Sequence, residues 1–250
     1  MQNNIYTCDM KLIIDFGNTL KKIAIFNKDE IVELQVYEQF STKQLSEILK
    51  SYKNIQSAII SSVINYPLSL KKYLNNNFKF IELNENTPVP VINKYKTPET
   101  LGNDRLAAVV AANHIYPNEN LLVIDAGTCI TYDFINSKKE YFGGGISPGI
   151  SMRFQSLHNF TDKLPLLKMK YYDTLIGCTT EDSIYSGVIN GVIAEIEGII
   201  EKYKNKYSSL KIIFCGGDIK YFDKRLKNNI FALPNIVLSG LNVILDFNNN

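Results

Sequence analysis

The sequence predicts an α/β protein made of two similar halves, each with a mixed sheet and flanking helices. A short apolar run followed by aspartate, glycine and a hydroxyl residue occurs twice, with the aspartate at Asp15 and at Asp125. Each copy opens a series of three predicted strands, and helical spacing follows. Because no stretch of flexible composition separates the halves, which we place at residues 10–100 and 101–250, we expect them to pack together.

The first half is predicted to follow the order β-β-β-α-β-α-β. Its strands are apolar runs separated by turn residues, at Lys11–Phe16, Leu20–Phe26, Ile31–Tyr37, Ile55–Val63 and Phe78–Leu83. Apolar residues at helical spacing predict helices at Ser41–Ser51 and Tyr66–Leu74. The stretch 84–101 is rich in Pro, Thr and Asn and predicts a loop.

The second half begins with an alanine-rich helix, Leu106–Ile115, and repeats the three-strand opening from Leu121. A further strand is predicted at Lys211–Cys215, and further helices at Pro148–Leu157, Thr180–Tyr203 and Pro234–Leu245. Small residues share one face of the long helix, at Gly187, Gly191, Ala194 and Gly198. We favour internal packing of this face over a homodimer interface.

Composition narrows the class of protein. The hydrophobic fraction of 45% and the charged fraction of 21% are typical of a soluble globular protein. A net charge of +2 gives no preference for nucleic acid over a small ligand. The apolar runs are too short to span a bilayer, and residues 1–9 lack the order of a signal peptide, so we expect a cytoplasmic protein, with Met10 as an alternative start to Met1.

Metal sites built from cysteine or histidine are not predicted. The four cysteines include no C-x-x-C pair, and the chain has two histidines. Carboxylates at strand ends are the better candidates for a cation.

The two aspartate–glycine turns indicate a phosphate site. Glycine lets a ligand approach the backbone, and a hydroxyl with free N–H groups can hold phosphate oxygens. The aspartate at the strand end can hold a cation or its waters. One such turn is equally consistent with a capped strand end, but two copies, with the motifs that follow, point to ATP.

Gly102–Arg105 stands directly before a predicted helix. The simpler interpretation makes Asp104 the N-cap of that helix. The functional interpretation makes it a carboxylate base beside an arginine that binds an anion, which is what a phosphoryl acceptor hydroxyl needs.

Three glycine-containing stretches remain as candidates. Phe142–Gly149 has four glycines and predicts either a complex hairpin turn or backbone close to a ligand; it matches neither G-x-G-x-x-G nor a P-loop. Gly177–Thr180 opens the long helix, where Thr180 can cap the helix or face a ligand. Gly216-Gly217 is consistent with two interpretations: a surface on which an adenine or ribose rests, and a plain strand-to-helix turn.

Taken in order, the motifs D-x-G-N-T, G-x-D-R, D-A-G-T and G-G-x-I-x-P-G resemble those of type III pantothenate kinases, in the acetate kinase–Hsp70–actin superfamily. The resemblance covers nearly the whole chain. It implies two ribonuclease-H-like (actin-like ATPase) half-domains, each with a mixed five-stranded sheet. It also implies ATP-dependent phosphorylation of pantothenate to 4'-phosphopantothenate, the first step of coenzyme A biosynthesis.

The resemblance also implies roles for residues. Asp104 is the general base. The implied pantothenate contacts are Tyr95, Gly102, Asn103, Asp104, Arg105 and Thr180. The implied ATP contacts are Asp15, Phe16, Gly17, Asn18, Thr19, Leu20, Lys21, Lys22 and Thr128. Asp15 lies near the divalent ion, Mg²⁺, and Asp125 binds a monovalent cation, K⁺ or NH₄⁺. The family is generally dimeric, with pantothenate near the subunit interface.

Two departures from the family pattern bear on the cation site and the pocket. Cys129 and Ile130 follow D-A-G-T where alanine and threonine are usual, and Cys178 precedes the threonine pair. Two alternatives stay open: a kinase of another small hydroxylated acid or sugar, and a catalytically weak regulatory relative.

Overall fold

The computed structural model describes residues 10–222 and 225–249. The predicted features of the N-terminal segment Met1–Asp9 lie outside the described residues. The chain divides into two units: one contains the described residues up to His114 together with those from Ile236 onwards, and the other is Ile115–Asn235. This division differs from the predicted halves at residues 10–100 and 101–250.

The first unit is built on a sheet in the order β3-β2-β1-β4-β5, in which β1 pairs antiparallel with β2 and parallel with β4. Up to residue 83 the order of elements is the predicted one, but the predicted loop at 84–101 contains a two-residue strand and a 3₁₀ turn. The strands of this sheet are β1 (Met10–Phe16), β2 (Lys21–Asn27), β3 (Glu30–Tyr37), β4 (Ile55–Ser62) and β5 (Lys79–Glu82). The two-residue β6 (Ile92–Asn93) lies outside this sheet. The helices of the first unit are α1 (Thr42–Ser51), α2 (Leu68–Asn77), α3 (Asn103–Ile115) and α7 (Ile236–Asn249), with a 3₁₀ turn at Pro98–Thr100.

Side-chain and backbone contacts explain why α3 and α7 belong to the first unit. A Cβ atom added to Gly240 of α7 would lie 1.8 Å from the Ala107 carbonyl oxygen of α3, so the two helices touch through their backbones. The Lys11 ammonium on β1 forms an ion pair with Asp246 of α7 at 2.6 Å. The chain therefore returns to its first unit, which the apolar pattern of α7 alone did not reveal.

The second unit repeats the topology of the first. Its strands are β7 (Asn120–Ala126), β8 (Cys129–Ile135), β9 (Glu140–Pro148), β10 (Leu210–Cys215) and β11 (Phe231–Ala232), in the order β11-β10-β7-β8-β9. The first three strands pair antiparallel, and β7, β10 and β11 pair parallel, as in the first unit. Its helices are α4 (Ile150–Asn159), α5 (Thr180–Lys206) and α6 (Ile219–Phe222). This repeat confirms the predicted fold class.

The duplication extends to single backbone hydrogen bonds. After β4, the Val63 N–H donates to the Phe16 carbonyl at 3.0 Å, and after β10 the Asp218 N–H donates to the Ala126 carbonyl at 3.0 Å. Each acceptor is the residue that follows the repeated aspartate. The two turns are therefore equivalent positions in two copies of one topology.

Helix α5 supplies much of the core of the second unit. Its buried residues pack against the sheet, and they are Ile184, Tyr185, Val188, Ile189, Val192, Ile196 and Ile200. By length and composition alone α5 is apolar enough to cross a membrane. A core helix of a soluble protein meets the same measure, so this is weak evidence for a membrane span.

The small-residue face of α5 is exposed, so the predicted internal packing is wrong. Gly187, Gly191, Ala194 and Gly198 all face outwards. A Cβ atom added to any of these three glycines would meet no described atom within 4 Å.

The glycines of β9 lie in a paired strand, so the predicted hairpin turn is wrong. A Cβ atom at Gly144 would lie 1.6 Å from the Tyr132 carbonyl oxygen on β8. Gly143 has φ of 82° next to a register shift between Phe134 and Ile135. Glycine is used here because the backbone of β8 comes too close for any side chain.

We expect Gly144→Ala to lower the free energy of unfolding by about 3 kcal/mol, because the added methyl group overlaps main chain that cannot rotate away. Gly145→Ala is the matched control, since its Cβ would lie 3.5 Å from the Tyr132 ring and should change stability by less than about 1 kcal/mol. Urea unfolding of both variants checks this. Equal effects would contradict the close approach of β8 to Gly144.

Candidate active site

The first aspartate–glycine turn joins β1 to β2. Asp15 pairs with Lys22 across the hairpin, and the Gly17 N–H donates to the Leu20 carbonyl at 3.0 Å. The tip, at Asn18–Leu20, is exposed. An exposed tip with backbone N–H groups, a hydroxyl and two lysines at its base suits a phosphate chain.

The second turn joins β7 to β8 in the same manner. The Gly127 N–H donates to the Cys129 carbonyl at 2.9 Å, and Thr128 at the tip is exposed. The Asp125 carboxylate extends over the end of β10, where a Cβ atom at Gly216 would lie 2.5 Å from its Oδ1. Gly216 has φ of +99°, so it provides both the backbone conformation and the space that this carboxylate needs.

Gly149 lies directly against the second turn. Its N–H donates to the Thr128 carbonyl at 3.1 Å, and a Cβ atom there would lie 2.0 Å from the Gly127 carbonyl oxygen. The structure thus brings the D-A-G-T motif and the end of the G-G-x-I-x-P-G motif together within the second unit. It does so by contact between backbones, with Gly149 as the N-cap of α4.

Gly102–Arg105 lies at the same edge of the first sheet as the Asp15 turn. Asn103 Nδ2 donates to the Leu83 carbonyl at 2.9 Å, and the Leu83 N–H donates to the Ile60 carbonyl at 2.9 Å. Because β1, β4 and β5 run parallel, their carboxyl ends meet at one edge. The start of α3 is therefore fixed to the edge where Asp15 ends its strand.

Asp104 lies inside the first turn of α3, so the N-cap interpretation is wrong. The Gly102 carbonyl accepts the first helical bond, from the Leu106 N–H at 3.2 Å, which places Gly102 at the cap position. Asp104 Oδ1 accepts the Arg105 N–H at 2.8 Å. A half-buried carboxylate in the first helical turn is stabilised by the helix dipole and remains open to a ligand hydroxyl.

Arg105 is held against Tyr95. The arginine is 7% exposed, and its guanidinium carbon lies 5.7 Å from the centre of the Tyr95 ring. This distance is within the range of a cation–π contact. Asp104, Arg105 and Tyr95, which the family resemblance singled out, thus lie in the same unit.

Thr180 does not cap α5. Thr179 is the N-cap: its hydroxyl accepts the Asp182 N–H at 3.1 Å and donates to the Asp182 carboxylate at 2.8 Å. Thr180 is the first helical residue and is exposed, so its hydroxyl is available to a ligand.

The candidates fall into two groups by unit. The Asp15–Lys22 turn, Tyr95 and Gly102–Arg105 lie in the first unit, and Asp125, Thr128 and Thr180 lie in the second.

One acidic residue beside the second turn was not singled out by sequence reasoning. Asp218 follows Gly216-Gly217 and donates its N–H to the Ala126 carbonyl at 3.0 Å. Burial raises the pKa of its carboxyl group, and the nearby Lys220 only partly opposes that shift. The sequence signal that could have identified Asp218 is its position directly after Gly216-Gly217, at the end of β10.

Single carboxylates at the turns suit a divalent ion that is shared with phosphate. Among residues 10–222 and 225–249 no group of three or more His, Cys, Asp or Glu side chains is placed to hold a metal alone. Mg²⁺ is commonly bound through one or two carboxylates together with substrate phosphates. Asp15, beside the exposed tip and its lysines, fits that pattern.

Comparison with known proteins decides the family. The family model for type III pantothenate kinase matches residues 11–202. The chain belongs to the type III pantothenate kinase family.

Curated relatives cover almost the whole chain. A type III pantothenate kinase of Phocaeicola vulgatus is 48% identical over 240 residues, covering 96% of this chain and 99% of that protein. The type III pantothenate kinase of Christiangramia forsetii is 45% identical over 240 residues, with the same coverage. Membership of the family therefore applies to both units.

Solved structures of lower identity support the fold alone. A protein of Campylobacter jejuni described as a Baf family transcriptional activator has a TM-score of 0.59 and 23% identity, covering 96% of this chain and 99% of that chain. A glucokinase from an Antarctic psychrotroph has a TM-score of 0.54 and 12% identity, covering 96% of this chain and 99% of that one. Both agree with the duplicated α/β fold of this chain.

Proposed function

We propose that this chain transfers the γ-phosphoryl group of ATP to the primary hydroxyl of pantothenate, the first step of coenzyme A biosynthesis. Family membership over nearly the full length supports the reaction. The single structural observation that carries it is the grouping of Asp104, Arg105 and Tyr95 at the sheet edge where the Asp15 turn also lies.

The chemistry assigned to this group is acid–base catalysis with positioning. The Asp104 carboxylate accepts the proton of the pantothenate hydroxyl as that oxygen bonds to the γ-phosphorus and the bond to the ADP oxygen breaks. The Arg105 guanidinium binds the pantothenate carboxylate, for which its planar fork is suited. Tyr95 keeps the guanidinium in place and lines the pocket, and Thr180 supplies a further substrate contact.

The phosphates of ATP are assigned to the two turns. Asp15–Lys22 supplies backbone N–H groups, a hydroxyl and two lysines, and Thr128 supplies a second hydroxyl. A divalent ion, when bound, neutralises charge on the phosphates, and Asp15 would hold it. We assign Asp125 to a monovalent cation, K⁺ or NH₄⁺, because its carboxylate is held over Gly216 at the end of β10.

We place the reaction in the cytoplasm, where ATP is supplied. The near-neutral net charge of +2 supports a small-molecule substrate and gives no support for a nucleic-acid partner. Recovery of the tagged protein in a washed membrane fraction would contradict this location.

A homodimer is the assembly that the exposed face of α5 supports. Gly187, Gly191, Ala194 and Gly198 leave a smooth surface that no described residue of the same chain covers. Small residues let two helices approach closely, and a second copy of α5 offers the same surface across a two-fold axis. Thr180 lies at the start of this helix, which would bring it to a subunit interface.

The function is tested by ADP release with ATP, Mg²⁺ and pantothenate, in potassium and then in sodium buffer. We expect pantothenate-dependent turnover that is faster in potassium, because Asp125 binds the larger cation. Equal turnover in the two buffers would contradict the assignment of Asp125 to a monovalent cation and would leave the proposed kinase reaction supported. A folded protein that binds ATP and releases no ADP with pantothenate would contradict the proposed acceptor and favour another hydroxylated acid or a regulatory role.

Asp104→Asn should lower kcat by about 10²–10⁴-fold and leave ATP affinity nearly unchanged, because the amide cannot take the hydroxyl proton. Steady-state kinetics and nucleotide binding measure the two effects separately. Asp162→Asn, at an exposed loop carboxylate, is the matched control and should retain full activity. Retained turnover in Asp104→Asn would exclude Asp104 as the base.

Gly191→Lys should dissociate the dimer, because a long charged side chain would stand on the smooth face of α5. We expect a dimer mass for the unmodified chain and at least about a tenfold weaker association for the variant, which is about 1.4 kcal/mol. Sedimentation across a concentration series measures both. Ser46→Lys, at an exposed position of α1, is the control. A monomeric unmodified chain would exclude this interface.

A further inference from the structure

A polar network joins four elements of the second unit around Arg153 and Glu195. Arg153 on α4 forms an ion pair with Glu195 on α5 at 2.5 Å, and both side chains are largely shielded from solvent. The Tyr132 hydroxyl on β8 donates to the other carboxylate oxygen of Glu195 at 2.9 Å. The guanidinium also donates to the Ser147 hydroxyl at 2.9 Å. The network therefore ties two helices to two strands.

The same guanidinium holds the backbone behind the second turn. Arg153 Nε donates to the Pro148 carbonyl at 2.8 Å. The next residue, Gly149, donates its N–H to the Thr128 carbonyl at 3.1 Å and leaves no room for a side chain against Gly127. Three successive contacts thus connect Glu195, in the middle of α5, with the hydroxyl residue of the D-A-G-T turn.

Charge in the network is fixed by its own hydrogen bonds. Burial by itself raises the pKa of Glu195, but hydrogen bonds from Arg153, Ser147 and Tyr132 outweigh burial and keep its pKa below the ordinary value. Burial and the Glu195 charge raise the pKa of Tyr132. The phenol therefore stays protonated and donates a hydrogen bond to Glu195. The ion pair and its additional hydrogen bonds together restrain the Arg153 side chain.

We propose that Arg153 is a positioning residue for ATP: held by Glu195, it fixes Pro148–Gly149 and through them the Gly127–Thr128 turn. Only arginine can serve, because one nitrogen holds the Pro148 carbonyl while another holds the carboxylate. The side chain acts through the backbone of the turn. This inference rests on the proposed function, which assigns Thr128 to the ATP phosphates.

The test uses two variants that disrupt the Arg153–Glu195 ion pair. Glu195→Gln keeps the size of the side chain, and Arg153→Lys keeps its charge. We expect KM for ATP to rise about tenfold in each, because a displaced turn binds the phosphates poorly. KM for pantothenate at saturating ATP should stay within about twofold. Glu119→Gln is the matched control: Glu119 forms an ion pair with Lys211 at 2.8 Å in the same unit, beside the start of β7 and so at the other end of that strand from the turn.

A second readout separates this inference from the proposed function. Binding of a fluorescent ATP analogue without pantothenate should weaken about tenfold in both variants and stay unchanged in Glu119→Gln. If the unmodified protein binds the analogue but does not phosphorylate pantothenate, the proposed function fails and the binding comparison still decides the role of Arg153. Unchanged analogue binding in folded Glu195→Gln would overturn the inference, and so would equal losses for both substrates. Should either variant unfold, Tyr132→Phe removes one bond to Glu195 and should shift ATP affinity in the same direction.

Discussion

Close contact between main-chain segments determines the geometry of the second aspartate–glycine turn. Gly149 lies in close contact with the backbone of Gly127 and Thr128, and Gly216 lies in close contact with Ala126 and the Asp125 carboxylate. No side chain fits at either glycine, so the turn is enclosed by backbone on two sides. The Gly149 N–H donates to the Thr128 carbonyl and the Asp218 N–H to the Ala126 carbonyl, so hydrogen bonds hold the turn to both segments. The backbone of this turn therefore depends on strand pairing and on two glycines, with Arg153 holding the Pro148 carbonyl next to one of them.

The duplicated topology gives the two turns similar shapes and different surroundings. In the first unit the turn stands at an exposed hairpin tip with two lysines, and the start of α3 is attached to the same sheet edge. In the second unit the equivalent turn is supported from behind by α4 and β10. One topology thus presents a cationic loop in one unit and a rigidly supported loop in the other. This difference agrees with assigning the base Asp104 and the arginine Arg105 to the first unit.

Local pattern was sufficient to predict the longer strands, most helices and the order of the repeated opening, but not the two-residue strands β6 and β11. Apolar alternation and turn residues are properties of neighbouring residues, so Asp15 and Asp125 were placed at strand ends from sequence alone. The glycines of β9 and α5 were misassigned because the same residue type stands in opposite surroundings: Gly144 lies against the backbone of β8, and Gly191 lies on an open surface. Only the partner across the sheet or helix distinguishes these surroundings. The Arg153–Glu195 pair, 42 residues apart, was likewise beyond any local pattern.

The return of α7 to the first unit has a consequence for the order of folding during synthesis. Residues Ile115–Asn235 form a complete unit that is interposed within the chain of the other, whose last helix begins at Ile236. A chain emerging from the ribosome can therefore finish the second unit before the first has its full core. Until α7 arrives, the backbone of Ala107 and the ammonium of Lys11 lack the partners that α7 provides. The unit that carries the N-terminal strands is thus the last to become stable.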